Sequence, residues 1–187
     1  QLYAYERPFL TDLGYPQSWA SMSKWESHWA THNTAWGTLD PSLGGNAGRG
    51  QLIRTLFTDG IQILDVEADR WLWDEEKKRW HKPGVTFRRL LALVETEAEG
   101  VALIDFSRVR GGIDHWRICR GLEGSFSSEN AGLVSRPGTV ADPNGSRGDT
   151  ENLDHPDYVA LAYMDEVSAA NAAAHWEGRW QSEIERS

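Results

Sequence analysis

The sequence predicts an all-β protein, an antiparallel two-layer β-sandwich forming a single domain over residues 1–187. Three observations carry that expectation. Short apolar runs bounded by Gly, Pro and charged residues fill the middle of the chain, a pattern of strands rather than of long amphipathic helices. Asp59-Gly60 separates two of these runs and is a tight-hairpin signal. The connections between successive runs are short, which favours antiparallel neighbours.

In chain order, Leu2-Tyr3-Ala4-Tyr5 is strand-like, and Ser18 to Trp29 is polar and studded with Trp, so an irregular Trp-rich N-terminal segment is expected. Pro41 to Gly50 is a Gly-rich stretch with no strand before it and no Gly-Lys-Ser/Thr ending. It is better placed as a surface loop than as a phosphate-binding one. Strands are expected at Ile53–Phe57, Ile61–Ala68, Arg70–Trp73, Val85–Val94, Val101–Val109 and Ile113–Arg120. The charge run Asp74 to Lys78 is a solvated turn before Trp80, and Glu97 to Gly100 is a turn between two strands apolar enough to be central ones. Ser135 to Asp157 is a loop rich in Pro, Gly, Asn and Asp. Asp142-Pro143-Asn144-Gly145-Ser146 imitates a calcium loop, yet Arg147 stands where Gly is required and Leu153 where Glu is required, so an EF-hand is excluded. Arg147-Gly148-Asp149 and the sequon Asn144-Gly145-Ser146 are short enough to arise by chance. The alanines between Ser168 and Trp180 favour a short C-terminal helix, or a frayed end.

A net charge of −9 argues against long-range attraction of nucleic acid or of any other polyanion. Local cations still decide contacts, because screening removes the far field beyond about 8–10 Å. Arg88, Arg89, Arg108, Arg110, Arg117 and Arg120 lie close together in sequence and form either a local positive face or the solvated sides of strands. Ten Trp exceed what core packing of this length needs, and Trp also stacks on sugar rings, although packing is the default role. The single Cys119 excludes an internal disulfide and is expected as a small buried apolar group on a strand. The sequence contains no membrane-spanning run.

Asp12, in Thr11-Asp12-Leu13-Gly14-Tyr15-Pro16, and His32, in Thr31-His32-Asn33-Thr34, have donor groups suited to zinc, but a closed shell needs further ligands. By itself an Asp before Gly-Tyr-Pro is a turn residue. The surrounding wording adds to this. Leu2-Tyr3-Ala4-Tyr5, then Phe9 to Pro16, then the Trp-rich segment ending in His32-Asn33-Thr34, resembles the start of the C-terminal β-domain of heparinase II/III-like polysaccharide lyases. A second block, Phe87-Arg88-Arg89 running into Val94, followed by Asp105-Phe106-Ser107-Arg108-Val109-Arg110-Gly111-Gly112 and His115, resembles another passage of that family in order and spacing. The resemblance covers about residues 1–121.

The resemblance implies a carbon–oxygen lyase that cleaves uronate-containing acidic polysaccharides, such as glycosaminoglycan or alginate, by β-elimination. It also implies a periplasmic or secreted location. Asp12 and His32 would be two ligands of a structural zinc, completed by a histidine of a His-x-Asp phrase just before Gln1, with Asn33 and Thr34 orienting the imidazole. The principal catalytic groups of such lyases belong to an N-terminal helical toroid domain and its junction with the β-domain. This chain is therefore expected to be a fragment, inactive alone, with no catalytic residue of its own and with an exposed apolar face where the toroid docks. Tyr3, Tyr5, Tyr15, Tyr158 and Tyr163 are not carried over as catalytic. His115 matches a position facing the cleft and, with Arg110, is a candidate substrate contact; the alternative for His115 is a structural histidine bonded to a backbone carbonyl. Arg120 stands near a place where the family commonly has a second His. His28, His81, His155 and His175 are expected to be exposed or locally bonded. The alternative to a lyase domain is a non-catalytic carbohydrate-binding or structural β-sandwich. Neither reading calls for nucleic acid or a membrane as partner.

Overall fold

The structure, a computed structural model, describes residues 2–4, 7–10, 28–40, 46–96, 100–121, 124–151, 153–171 and 175–181. It is all-β and antiparallel, as the sequence predicts; the helical pieces among the described residues are three-residue 3₁₀ turns. The strands are β1 (Leu2–Ala4), β2 (Arg7–Leu10), β3 (Ala35–Gly37), β4 (Asn46–Thr58), β5 (Ile61–Asp74), β6 (Arg79–His81), β7 (Thr86–Thr96), β8 (Gly100–Arg110), β9 (His115–Arg117), β10 (Ser125–Glu129), β11 (Val134–Ser135), β12 (Ser168–Ala169) and β13 (Glu177–Gln181). They fall into two compact units, one of Ala35–Arg117 and one of Gln1–Thr34 with Ile118–Ser187.

The first unit is built on a five-stranded sheet ordered β4-β5-β7-β8, with β6 joined to β5. Asp59-Gly60 turns β4 into β5 with Thr58 opposite Ile61, and Gly60 takes φ 81°, a conformation that favours Gly. Asp74 closes the expected charged turn by accepting the Lys77 backbone N–H at 2.9 Å. A β3–β9 ribbon packs on one face of this sheet and makes a second layer: Leu39, Leu72 and Val85 are buried there, Phe87 packs against them, and Trp36 stacks on Phe87. Arg70, only 2 % exposed, lies under the Trp36 ring at 4.1 Å and donates to the Gly37 carbonyl at 3.4 Å. A buried guanidinium is tolerated because it is bonded and stacked.

The second unit is held by local bonds around 3₁₀ turns. Trp29 is buried and its indole N–H donates to the Asp157 carbonyl at 3.1 Å, while Ala160, Leu161 and Ala162 are buried nearby in sequence. The Ser135–Asp157 loop is anchored by backbone bonds from Arg136 to Val167, Val140 to Met164 and Gly148 to Ala162. Asp142 accepts the Asn144 N–H at 2.8 Å, so the calcium-like phrase is an Asx turn.

Several expectations are corrected. Residues 46–50 are the first part of β4, not a loop, and Ile61–Ala68 and Arg70–Trp73 are one strand. Among the described residues β8 is an edge strand of its sheet rather than a central one. The strand expected at Ile113–Arg120 shortens to His115–Arg117, which leaves Cys119 exposed and outside any strand. No C-terminal helix forms over the described part of Ser168–Trp180; β12 and β13 pair with β11 and β10 instead. Ala169 pairs with Val134 in spite of alanine's helix preference, and residues 172–174 lie outside the described residues.

Candidate functional site

β8, the Gly111-Gly112 turn and β9 bring the Asp105-to-His115 phrase together in space. The side-chain period of two places Asp105, Ser107 and Val109 on the side of β8 toward β9. The turn then reverses the chain so that His115 faces them. Gly111 and Gly112 have φ 71° and 85°, and a Cβ on either would fall 2.4 Å from the Gly84 carbonyl oxygen or 2.5 Å from that of Thr38. Only Gly fits. β9 is fixed by its ladder with β3, Trp36 opposite Trp116 and Gly37 opposite His115. Asp114 adds an N–H bond to the Thr38 hydroxyl at 2.9 Å.

The result is an open depression of about 360 Å³ lined by Asp105, Ser107, His115, Trp116 and Arg117, with Ala35 and Val109. Asp105 is its electrostatic centre. Arg89 donates from Nη2 at 2.6 Å and from Nε at 3.1 Å, the Ser107 hydroxyl donates at 2.8 Å, and the Arg117 guanidinium also reaches the carboxylate. Burial acts to raise the Asp105 pKa, but these bonds and the charges of Arg89 and Arg117 outweigh it and hold the carboxyl below its usual range. Two guanidiniums thus share one carboxylate. His115 Nε2 lies 2.8 Å from the Gly111 carbonyl, so this nitrogen carries a proton and donates, and Nδ1 is the ring's other polar atom. The backbone bond of the structural reading and a place in the depression therefore hold together for His115.

Arg110 is exposed but lies on the opposite side of β8, in register with Thr86, and is not brought together with His115. Of the six clustered arginines, Arg88 is bonded to Asp65 at 2.7 and 3.0 Å, Arg89 and Arg117 share Asp105, and Arg120 belongs to the other unit, where its N–H donates to the Asn33 side chain at 2.7 Å. Asn33 thus anchors backbone here. Asp105, Ser107 and Arg117 were the lining residues that motif reading left without a role; alternation along β8 is the signal that finds the first two.

Asp12 lies outside the described residues. His32 follows the Trp29–Thr31 turn, its N–H donating to the Trp29 carbonyl at 3.3 Å. Among the described residues no group of three or more His, Cys, Asp and Glu is arranged to hold a metal, so those residues alone do not complete a zinc shell at His32. His28 and His155 are locally bonded, as expected, each accepting a backbone N–H at the start of a 3₁₀ turn. Comparison with protein-family models, curated proteins and solved structures finds no match to this chain.

Proposed function

We propose that this chain is the β-domain of a heparinase II/III-like lyase, and that its part in the reaction is to hold a uronate-containing acidic polysaccharide while groups of a helical toroid domain carry out the elimination. The observation that carries the reading is the convergence in one depression of Asp105, Ser107 and His115, from the sequence passage on which the resemblance rests, with Arg117 beside them. β-Elimination needs the uronate carboxylate neutralised before its neighbouring proton can leave. Arg117, bonded to Asp105, supplies that charge, the ring nitrogen of His115 facing away from Gly111 supplies a polar contact, and Trp116 borders the site. A structural zinc and an exported location belong to the same proposal.

Incubated alone with alginate or heparin, the chain is expected to give no ultraviolet absorbance of an unsaturated uronate product, yet to bind acidic oligosaccharides. Arg117→Ala and His115→Ala should each weaken binding about tenfold with the fold intact by circular dichroism. Elimination by the isolated chain, or unchanged binding in both variants, overturns the reading.

A non-catalytic carbohydrate-binding module remains the second reading, on one observation. Phe126, Trp176 and Trp180, 45 %, 50 % and 40 % exposed, gather on the β10–β13 ribbon around Gly178, where a Cβ would lie 2.9 Å from Trp176 and 3.0 Å from Phe126. An exposed aromatic platform of this kind suits stacking on sugar rings.

A further inference from the structure

The face of the five-stranded sheet that carries Arg110 has a charge pattern opposite to that of the whole chain. Three cross-strand rows follow from the registers: Arg54–Asp65–Leu90–Phe106, Gln51–Glu67–Arg88–Arg108 and Arg49–Asp69–Thr86–Arg110. With Lys82 beside them, six cations stand against three carboxylates, an excess of three positive charges in a chain of net charge −9. The two signs are also sorted. Arg49 and Arg54 on β4 and Arg108 and Arg110 on β8 are exposed at the two edges, whereas Asp65, Glu67 and Asp69 sit lower along central β5. Asp65 is bonded to Arg88 and Asp69 to Lys82. Among the described residues no ion pair engages Arg108 or Arg110.

One corner of the face is a shaped depression of about 190 Å³ in which Trp71 is flanked by Arg49, Gln51, Glu67, Asp69 and Lys82. The Arg49 guanidinium and the Lys82 ammonium lie 5.0 and 5.1 Å from the Trp71 ring. The Trp71 indole N–H is enclosed and has no hydrogen-bond partner among the described residues. Long flexible cations that cover an aromatic ring can swing to its rim and leave the ring face to a ligand.

We propose that this face binds an unsulfated uronic acid polysaccharide lying across the strands, with Arg49 and the Arg108–Arg110 pair meeting carboxylates at its two edges and a sugar ring seated at Trp71. The proposal rests on the lyase-domain reading and names its substrate class. Four strands span about 14 Å at about 4.8 Å per spacing, enough for a short oligosaccharide. The half-buried Glu67 and Asp69 of the floor decide the class: carboxylates accept bonds from sugar hydroxyls but repel sulfates or phosphates set over them. A densely sulfated chain or a nucleic acid backbone places negative charge on that floor, whereas a uronan offers hydroxyls between its carboxylates.

The test is calorimetric titration of the chain with tetra-mannuronate, tetra-guluronate, tetra-galacturonate and unsulfated chondroitin tetrasaccharide, beside heparin tetrasaccharide and a short DNA duplex. At least one uronate should bind, more weakly as salt is raised, and Arg108→Ser/Arg110→Ser and Trp71→Phe should each weaken it about tenfold with the thermal midpoint unchanged. Binding of none of the uronates at millimolar concentration, binding unaffected by the β8 double variant, or heparin or DNA bound more tightly than every uronate overturns the proposal. Uronate binding lost in Arg117→Ala but not in the β8 double variant sinks this face and leaves the lyase-domain reading standing. The reverse pattern supports the face and sinks the depression at His115.

Discussion

Asp105 draws two guanidiniums and a hydroxyl to one carboxylate, so a single side chain sets both the shape and the charge of the His115 depression. Removing it by Asp105→Ala takes a bonded carboxylate from Arg89, whose side chain is only 20 % exposed, and should cost about 2 kcal/mol in urea unfolding. Its folded-state pKa lies below the ordinary value of 3.8, so the unfolded chain binds the proton more readily. Stability from this group is therefore fully present above the unfolded pKa and is lost as pH falls through the lower folded pKa. Acid titration monitored by Trp fluorescence should show a stability loss beginning below about pH 5, and Asp105→Asn should flatten it. An equally steep acid transition in Asp105→Asn would count against this assignment. The sequence displays Asp105 and His115 in one phrase, but not that they meet. That requires the strand period and the glycine turn together, and Arg117 joins them only because β9 pairs with β3.

At the scale of elements, two glycines at opposite edges of the sheet, one in β4 and one just after β8, should behave in opposite ways. Gly111→Ala forces a side chain into a φ of 71° and against the Gly84 carbonyl, and should destabilise by about 3 kcal/mol. Gly48 in β4 has open space around its Cβ position, and Gly48→Thr should stabilise by about 0.5 kcal/mol. Thermal midpoints check both, and similar shifts in the two variants would refute the assignment of their roles. The same contrast shows how much of the fold was legible. The Asp59-Gly60 hairpin, the Asp74–Lys78 turn and the strands β5, β7 and β8 announce themselves by apolar runs and turn chemistry. The start of β4 does not, because Gly48 and Gly50 have little strand preference of their own and are recruited by a long ladder with β5. Ala169 of β12 is likewise recruited by its partner Val134 against its own helix preference.

For the whole molecule, the five-stranded sheet has two long edges, β4 and β8, unpaired among the described residues. Both are apolar toward the end remote from Trp71: Leu52 and Phe57 on β4 are 59 % and 67 % exposed, and Phe106 on β8 is 66 % exposed. An extended edge with exposed apolar side chains is a template for pairing with another strand. The expected outcome is self-association that grows with concentration in sedimentation velocity. Phe57→Lys and Phe106→Lys should each shift the distribution toward monomer while changing the thermal midpoint little, since neither side chain lies in the Leu39–Leu72–Val85 core. Lysine at an edge opposes strand addition by charge, so the two variants together should suppress association more than either alone. A chain that is already monomeric at high concentration removes the need for a covering partner at these edges. A chain whose association persists in both variants places the contact elsewhere.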